Sequence, residues 1–168
     1  MSETERLRVL VLTALFIALV TVATMLINVP TIATKGFINV GDTVVFLSAL
    51  LMGPRVGLLA GGLGSALADL LLGYVHWAPW TLIIKGAEGL IAASLGYHVY
   101  RREKRIGPKV IVALAVAAIW MVLGYYIAGG IMTGFKPALA SVPGNLLQGF
   151  GSALIAVPLL HAFRNLQL

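Results

Sequence analysis

Apolar runs of membrane-crossing length follow one another along this chain with hardly a break, and that leaves few ways for it to fold. Hydrophobic residues make up 60% of the sequence and charged residues only 11%, with a mean hydropathy of +0.98. Continuous apolar runs of this kind read as spanning helices, each needing roughly 20 residues. A length of 168 residues therefore holds five or six crossings and no sizeable soluble domain. The expectation is an all-α integral membrane protein, a six-transmembrane-helix bundle that forms one domain over residues 1–168.

The first span runs from Val9 to about Asn28, ahead of Pro30. Arg6 and Arg8 precede it and no small-x-small site closes it, so it reads as a retained helix rather than a cleaved signal peptide. A polar, glycine-bearing loop from Thr31 to Asp42 leads to a second run, Thr43 to Met52. That run is too short to cross alone, and a short second helix is expected, extended by Phe37–Val40 and screened from lipid by its neighbours. Further spans are expected at Val56–Tyr74, Thr81–Tyr100, Val110 to about Met132, and Ala138–Phe163, the last carrying Pro143 and Pro158.

Six crossings put both termini on one side. Arg6, Arg8, Arg55, the five basic residues of the 101–109 loop and Arg164 then share one face, against Lys35 and Lys136 on the other. The positive-inside bias makes the first face, with the N and C termini, cytoplasmic. The formal charge of +6 is thus a topology signal, and nucleic acid is not an expected partner. The chain has no cysteine, and His76, His98 and His161 are scattered, which argues against a metal site. It carries no serine–histidine pair and no G-x-x-x-x-G-K-[ST] phosphate loop. The chain is expected not to be an enzyme and to carry no cofactor. Any ATP it depends on is hydrolysed by partner subunits.

Against this apolar background a few polar residues stand out, because charge at membrane depth is expensive and usually functional. Asp69 lies toward the outer end of the third span, and Lys85 and Glu88 share one face of the fourth. They either lock helices together as an ion-paired cluster or contact a polar ligand. Lys85 and Glu88 neutralise each other, so Asp69 most needs a partner that the sequence does not supply. Asn145 and Gln148, one turn apart after Pro143-Gly144, look like a ligand-reading surface beside a loosened helix. Trp77 and Trp80 fit interfacial anchors or a stacking surface for a flat heterocycle. The small residues Gly57, Gly61, Gly64, Ser65 and Ala68 recur at helical spacing and suit close helix packing.

In order and spacing these landmarks resemble the substrate-capture (S) components of energy-coupling factor (ECF) vitamin transporters, in particular the riboflavin and the hydroxymethylpyrimidine or pyridoxine types. The resemblance runs from about Ala14 to Pro158. It rests on the pair Ala14-x-x-x-Ala18, Gly36-Phe-Ile-Asn-Val-Gly-Asp42, Gly53-Pro-Arg-Val-Gly57, Gly64-Ser-Ala-Leu-Ala-Asp69, Lys85-Gly86 and Asn145-x-x-Gln148. It implies a bundle that binds a vitamin or precursor near its outer side, under a lid formed by the first loop. It further implies docking on a transmembrane coupling subunit with two cytoplasmic ATPase subunits, and toppling of the whole bundle to release ligand inside. By position, Asn39 and Asp42 would belong to the lid and site rim. Lys85, Glu88, Asn145 and Gln148 would line the pocket, with Trp77 and Trp80 near it, and Ala14 and Ala18 would meet the coupling subunit. On this reading Lys85→Ala and Asn145→Ala each weaken binding in a protein that still folds. The competing reading is a self-contained proton- or ion-coupled carrier, with Asp69 or Glu88 as its protonation site.

Overall fold

The computed structural model describes residues 2–31 and 36–165; Met1, residues 32–35 (Lys35 among them) and residues 166–168 lie outside the described residues. Helix α1 (Glu3–Leu26) starts at a capping box: the Ser2 hydroxyl accepts from the Glu5 N–H and the Glu5 carboxylate accepts from the Ser2 N–H. Two amides that a helix start leaves unpaired are satisfied in this way. Strands β1 (Asn28–Thr31) and β2 (Gly36–Asn39) follow, then α2 (Gly41–Met52), α3 (Pro54–Leu71), α4 (Ala78–Glu103), α5 (Pro108–Thr133), α6 (Phe135–Leu139) and α7 (Val142–Ala162). Pro54, Pro79, Pro108 and Pro143 all stand in the first two positions of their helices, where a missing N–H is harmless and a fixed φ helps.

Two expectations change here. Phe37–Val40 does not extend the second helix, because Gly36–Asn39 pairs antiparallel with Asn28–Thr31, Asn39 opposite Asn28 and Ile38 opposite Val29. The Asn39 side chain accepts from the Gly41 N–H at 2.8 Å. That local turn competes with helix formation upstream, so α2 begins only at Gly41. The last apolar run is likewise not one helix. It divides at Ala140–Ser141 into α6 and α7, and Pro143 starts α7 instead of loosening a helix interior.

Helix α2 is the axis of the bundle. Ten of its twelve residues are buried, against α1, α3, α4 and α7. A helix too short to span the bilayer alone is thereby screened from lipid by its neighbours, as its length required. Its Phe46 and Leu50 form the apolar core with Val20, Leu114 and Leu160 of the surrounding helices. Helices α3 and α4 make the closest pair, because glycine lets their backbones touch. A methyl group on Gly57 would sit 2.8 Å from the Gly89 carbonyl oxygen, and one on Gly61 would collide with the carbonyl of Lys85. The small-residue stripe is a packing surface, with Gly64 turned the other way, onto Val20 of α1.

The exterior is apolar: Leu10, Leu15, Ile83, Ile111, Leu147 and Leu154 are all at least half exposed. Asp42, Asp69, Lys85, Glu88, Asn145 and Gln148 are inside, which is the distribution expected of a chain solvated by lipid. Helix α1, helix α5 and the α6–α7 stretch are each long and apolar enough to cross a membrane. Glu5 and Arg8 of α1, Met52 of α2 and Arg101 of α4 gather at one end of the bundle. The end of α7 is there too, since the Tyr100 hydroxyl donates to the Leu160 carbonyl at 2.6 Å. Both described chain ends thus lie with the basic residues of α4, and the hairpin, the α3–α4 turn and the start of α7 lie at the opposite end.

Candidate functional site

The site is built where α2 begins. Asp42, in the first turn of α2, and Lys85 and Glu88, one turn apart on α4, are almost wholly buried. The Lys85 ammonium donates to Asp42 Oδ1, and to Glu88 Oε2 at 2.8 Å. Gln148 of α7 completes the cluster: its Nε2 donates to both Asp42 oxygens, at 3.2 and 3.1 Å, and its Oε1 accepts from the Asn39 N–H at 2.9 Å. In a medium of low dielectric these ions persist only as a set, since desolvation of an unpaired one costs several kcal/mol. The Lys85 ammonium also stands 5.7 Å from the centre of the Tyr125 ring, within cation–π range.

Beside the cluster is a cavity of about 40 Å³, room for a few water molecules. Asn39, Asp69, Trp77, Lys85, Asn145 and Gln148 are in its wall. Three buried polar atoms that belong to lining residues have no partner among the described residues: Asp69 Oδ2, Trp77 Nε1 and Thr24 Oγ1. Buried polar groups are nearly always paired, so such a hollow calls for water or a guest. The hairpin roofs it. Asn39 ties β2 to α7 through Gln148, and Phe37 reaches across to Tyr74 in the α3–α4 turn, with ring centres 4.7 Å apart.

Of the residues singled out by the sequence, Asn39, Trp77, Lys85, Asn145 and Gln148 meet on this one cavity. Asp42 is not at a rim. It is 1% exposed and stands behind Lys85, as does Glu88, because both carboxylates serve as its counter-ions and neither lines the cavity. Trp80 stays outside as well, half-buried against the cluster of Trp77, Ile84 and Met121. Trp77 is buried and is no lipid-facing anchor. Asp69, which the sequence marks as the charge most in need of an outside partner, lines the cavity, as do the unforeseen Ser65, Thr81 and Tyr125. Ser65 was within reach, since it precedes Asp69 by four residues and shares its helix face. Ala14 and Ala18 are exposed on the outside of α1, and Ala14 sits in a shallow apolar groove with Leu10, Ile17 and Leu59.

Comparison with known proteins gives a match over residues 5–165 to the family model described as ECF-type riboflavin transporter, S component. An uncharacterised protein from the gap 3′ region of Pyrococcus woesei is 40% identical over 138 residues, covering 81% of this chain and 88% of that protein. The thiamine precursor transporter HmpT of Lactococcus lactis subsp. cremoris is 28% identical over 165 residues, covering 96% of this chain and 92% of that one. A shorter likeness, 35% over 74 residues, joins 44% of this chain to 40% of a UPF0397 protein of Streptococcus pneumoniae. With a polar hollow inside an apolar helical bundle and a family match along nearly its whole length, this chain belongs to the S components of ECF-type riboflavin transporters, multi-pass plasma-membrane proteins of vitamin uptake that are not enzymes.

Proposed function

We propose that this chain captures a vitamin or vitamin precursor from the outer side of the membrane and delivers it through a transmembrane coupling subunit that carries two cytoplasmic ATPases. The cavity carries this reading. A polar and aromatic hollow at the hairpin end, opposite the basic residues, is where a high-affinity site open to the exterior belongs. On this reading six helices cross, and both termini and the basic loop face the cytoplasm. Asn39, Trp77, Lys85, Asn145 and Gln148 touch the guest. Asp42 and Glu88 hold Lys85 in place, and Trp80 backs Trp77.

A ring-sized guest needs more room than a few water molecules take, so it enters with an outward shift of the hairpin. Among the described residues the hairpin is held over the cavity by the Asn39–Gln148 hydrogen bond, the Phe37–Tyr74 contact and the packing of Ile38 on Gly144, none of them a charged tie, and is suited to that movement. Riboflavin, pyridoxine and hydroxymethylpyrimidine are heterocycles of the class such a site takes. The chain needs no cofactor of its own, and ATP is hydrolysed by the partner subunits. Ala14 and Ala18 give the coupling subunit a flat face to hold and release while the bundle topples to open inward.

Native mass spectrometry of the purified chain tests the reading by looking for a retained heterocycle of the vitamin class. Uptake into liposomes should require the coupling subunit and the ATPases. Uptake by this chain alone, driven by a proton or ion gradient, would favour the carrier reading with Asp69 or Glu88 as the protonation site. A protein that retains no such molecule and binds no vitamin-class heterocycle would remove the proposal.

A further inference from the structure

Three carboxylates, Asp42, Asp69 and Glu88, are buried in the hairpin half of the bundle, and Lys85 is the single buried cation there among the described residues. Their situations differ. Both Asp42 oxygens are taken, by Lys85 and by Gln148; Glu88 accepts from Lys85 with Oε2 and leaves Oε1 unpaired among the described residues, but it stands behind the cavity wall, out of a guest's reach. Asp69 is 3% exposed, lines the cavity, and has Oδ2 without a partner among the described residues. Lys85 is already shared between two carboxylates, so among the described residues Asp69 has no counter-charge of its own. Around Asp69 the cavity is lined by Ser65 and Thr81, which carry hydroxyls, and by the aromatic residues Phe37, Trp77 and Tyr125, a lining that suits a flat ring.

We propose that Asp69 is the residue that selects the ligand, by accepting paired N–H donors from the amidine edge of a small amino-substituted nitrogen heterocycle. The proposal rests on the vitamin-capture reading and narrows it to one chemical class. A ring nitrogen beside an exocyclic amino group presents, once protonated, two parallel N–H donors that fit a carboxylate bidentately. An anionic or phosphorylated guest would instead face an excess of negative charge at close range. A flavin offers an imide edge, its N–H flanked by two carbonyl oxygens, and would set acceptors against an acceptor. The unpaired Trp77 N–H is left to a ring nitrogen or hydroxyl elsewhere on the guest.

The test uses the full chain, freed of retained ligand, with tryptophan fluorescence and calorimetry as readouts. The probes are 4-amino-5-hydroxymethyl-2-methylpyrimidine, the matched pyrimidin-4-one in which a carbonyl replaces the amino group, and riboflavin. The aminopyrimidine should bind on the order of a hundredfold or more tighter than the pyrimidinone, because a site built to pair a donor rejects the analogue that lacks it. Asp69→Asn should shrink that ratio to a few-fold. The ratio in the unmutated chain is informative by itself if the variant does not fold. Equal binding of the two pyrimidines, or a ratio unchanged in Asp69→Asn, overturns the proposal. So does tight riboflavin binding with no binding of the aminopyrimidine, a result that leaves the vitamin-capture reading standing. Aminopyrimidine binding that requires Na⁺ would give the Asp69, Ser65 and Thr24 oxygens to a cation and also overturn it. Absence of binding by every probe, with nothing retained on purification, would remove both readings.

Discussion

Gln148 joins two parts of the site with one amide: its nitrogen donates to both carboxylate oxygens of Asp42, and its carbonyl oxygen accepts from the backbone N–H of Asn39. The roof of the cavity and the charge cluster at its side are therefore held by the same side chain. Gln148→Leu should leave the Asn39 N–H and one face of Asp42 unpaired. Interhelical hydrogen bonds within membranes average only about 0.6 kcal/mol, whereas an orphaned buried group costs about 1–3 kcal/mol. The orphan term dominates, so the detergent-solubilised variant should melt measurably lower. Its ligand dissociation should also be faster, because the hairpin loses its tie to α7. A variant with unaltered melting and unaltered off-rate would show that this amide holds neither part.

Lys85 is expected to behave differently from Asn145. Sequence alone made Lys85→Ala a binding mutant in a folded protein. Because Lys85 holds both Asp42 and Glu88, its removal strands two buried carboxylates, and breaking a buried ion pair in this way costs about 3–5 kcal/mol. Lys85→Ala should therefore express poorly or melt early. The triple change Lys85→Met, Asp42→Asn, Glu88→Gln should recover much of the melting temperature without restoring ligand. Asn145→Ala, whose side chain faces the cavity outside the ion cluster, should keep its melting point and lose roughly ten- to a hundredfold in affinity. Thermal melts and titration calorimetry on the same samples separate the two cases.

Much of this arrangement is legible in the sequence. The apolar runs mark the bodies of the helices, although α1 begins six residues ahead of Val9 and the last run is two helices; the ten-residue run marks a buried short helix, and the small-residue stripe marks a packing face without naming α4 as its partner. What the sequence did not show depends on distance in space. Asp42 stands 43 residues from Lys85 and 106 from Gln148, so the ion cluster is invisible to any helical-spacing argument. The Gly36–Asn39 strand was hidden because its Phe-Ile pair is equally at home in a helix, and only the Asn39 turn onto Gly41 decides against one. Tyr125 is inconspicuous in the sequence because it sits beside Tyr126 in a strongly apolar helix, and nothing in the pattern says which of the two turns inward.

Gly61 tests whether close approach of α3 and α4 sets the position of Lys85. A side chain at Gly61 meets the Lys85 carbonyl and Val45, with no flexible neighbour to give way on the backbone side. Gly61→Val should force the helices apart at a cost of about 1–3 kcal/mol, the usual range for overpacking. It should also weaken ligand binding by dragging Lys85 away from Asp42. Gly151→Ala on α7 meets nothing within 4 Å and is the matched control, neutral or slightly stabilising. Equal melting temperatures for the two variants would mean that the α3–α4 contact is looser than drawn.

Ala14 separates capture from delivery. Its side chain is exposed on α1 and reaches neither the core nor the cavity, so a large residue there meets only lipid or a partner. Ala14→Trp should leave melting and ligand affinity unchanged in detergent. If the coupling subunit grips this face, the indole holds the two surfaces apart and forfeits the close packing on which helix association in lipid depends. ATP-driven uptake in liposomes containing the complete transporter should then fall by at least about tenfold, which corresponds to about 1.4 kcal/mol of lost association. Leu123→Trp is the control: Leu123 is 53% exposed on α5, a different helix of the bundle, and its replacement should spare uptake. Equal loss in both variants would point to a general effect of surface bulk on a toppling bundle, and full uptake by Ala14→Trp would move the docking face elsewhere.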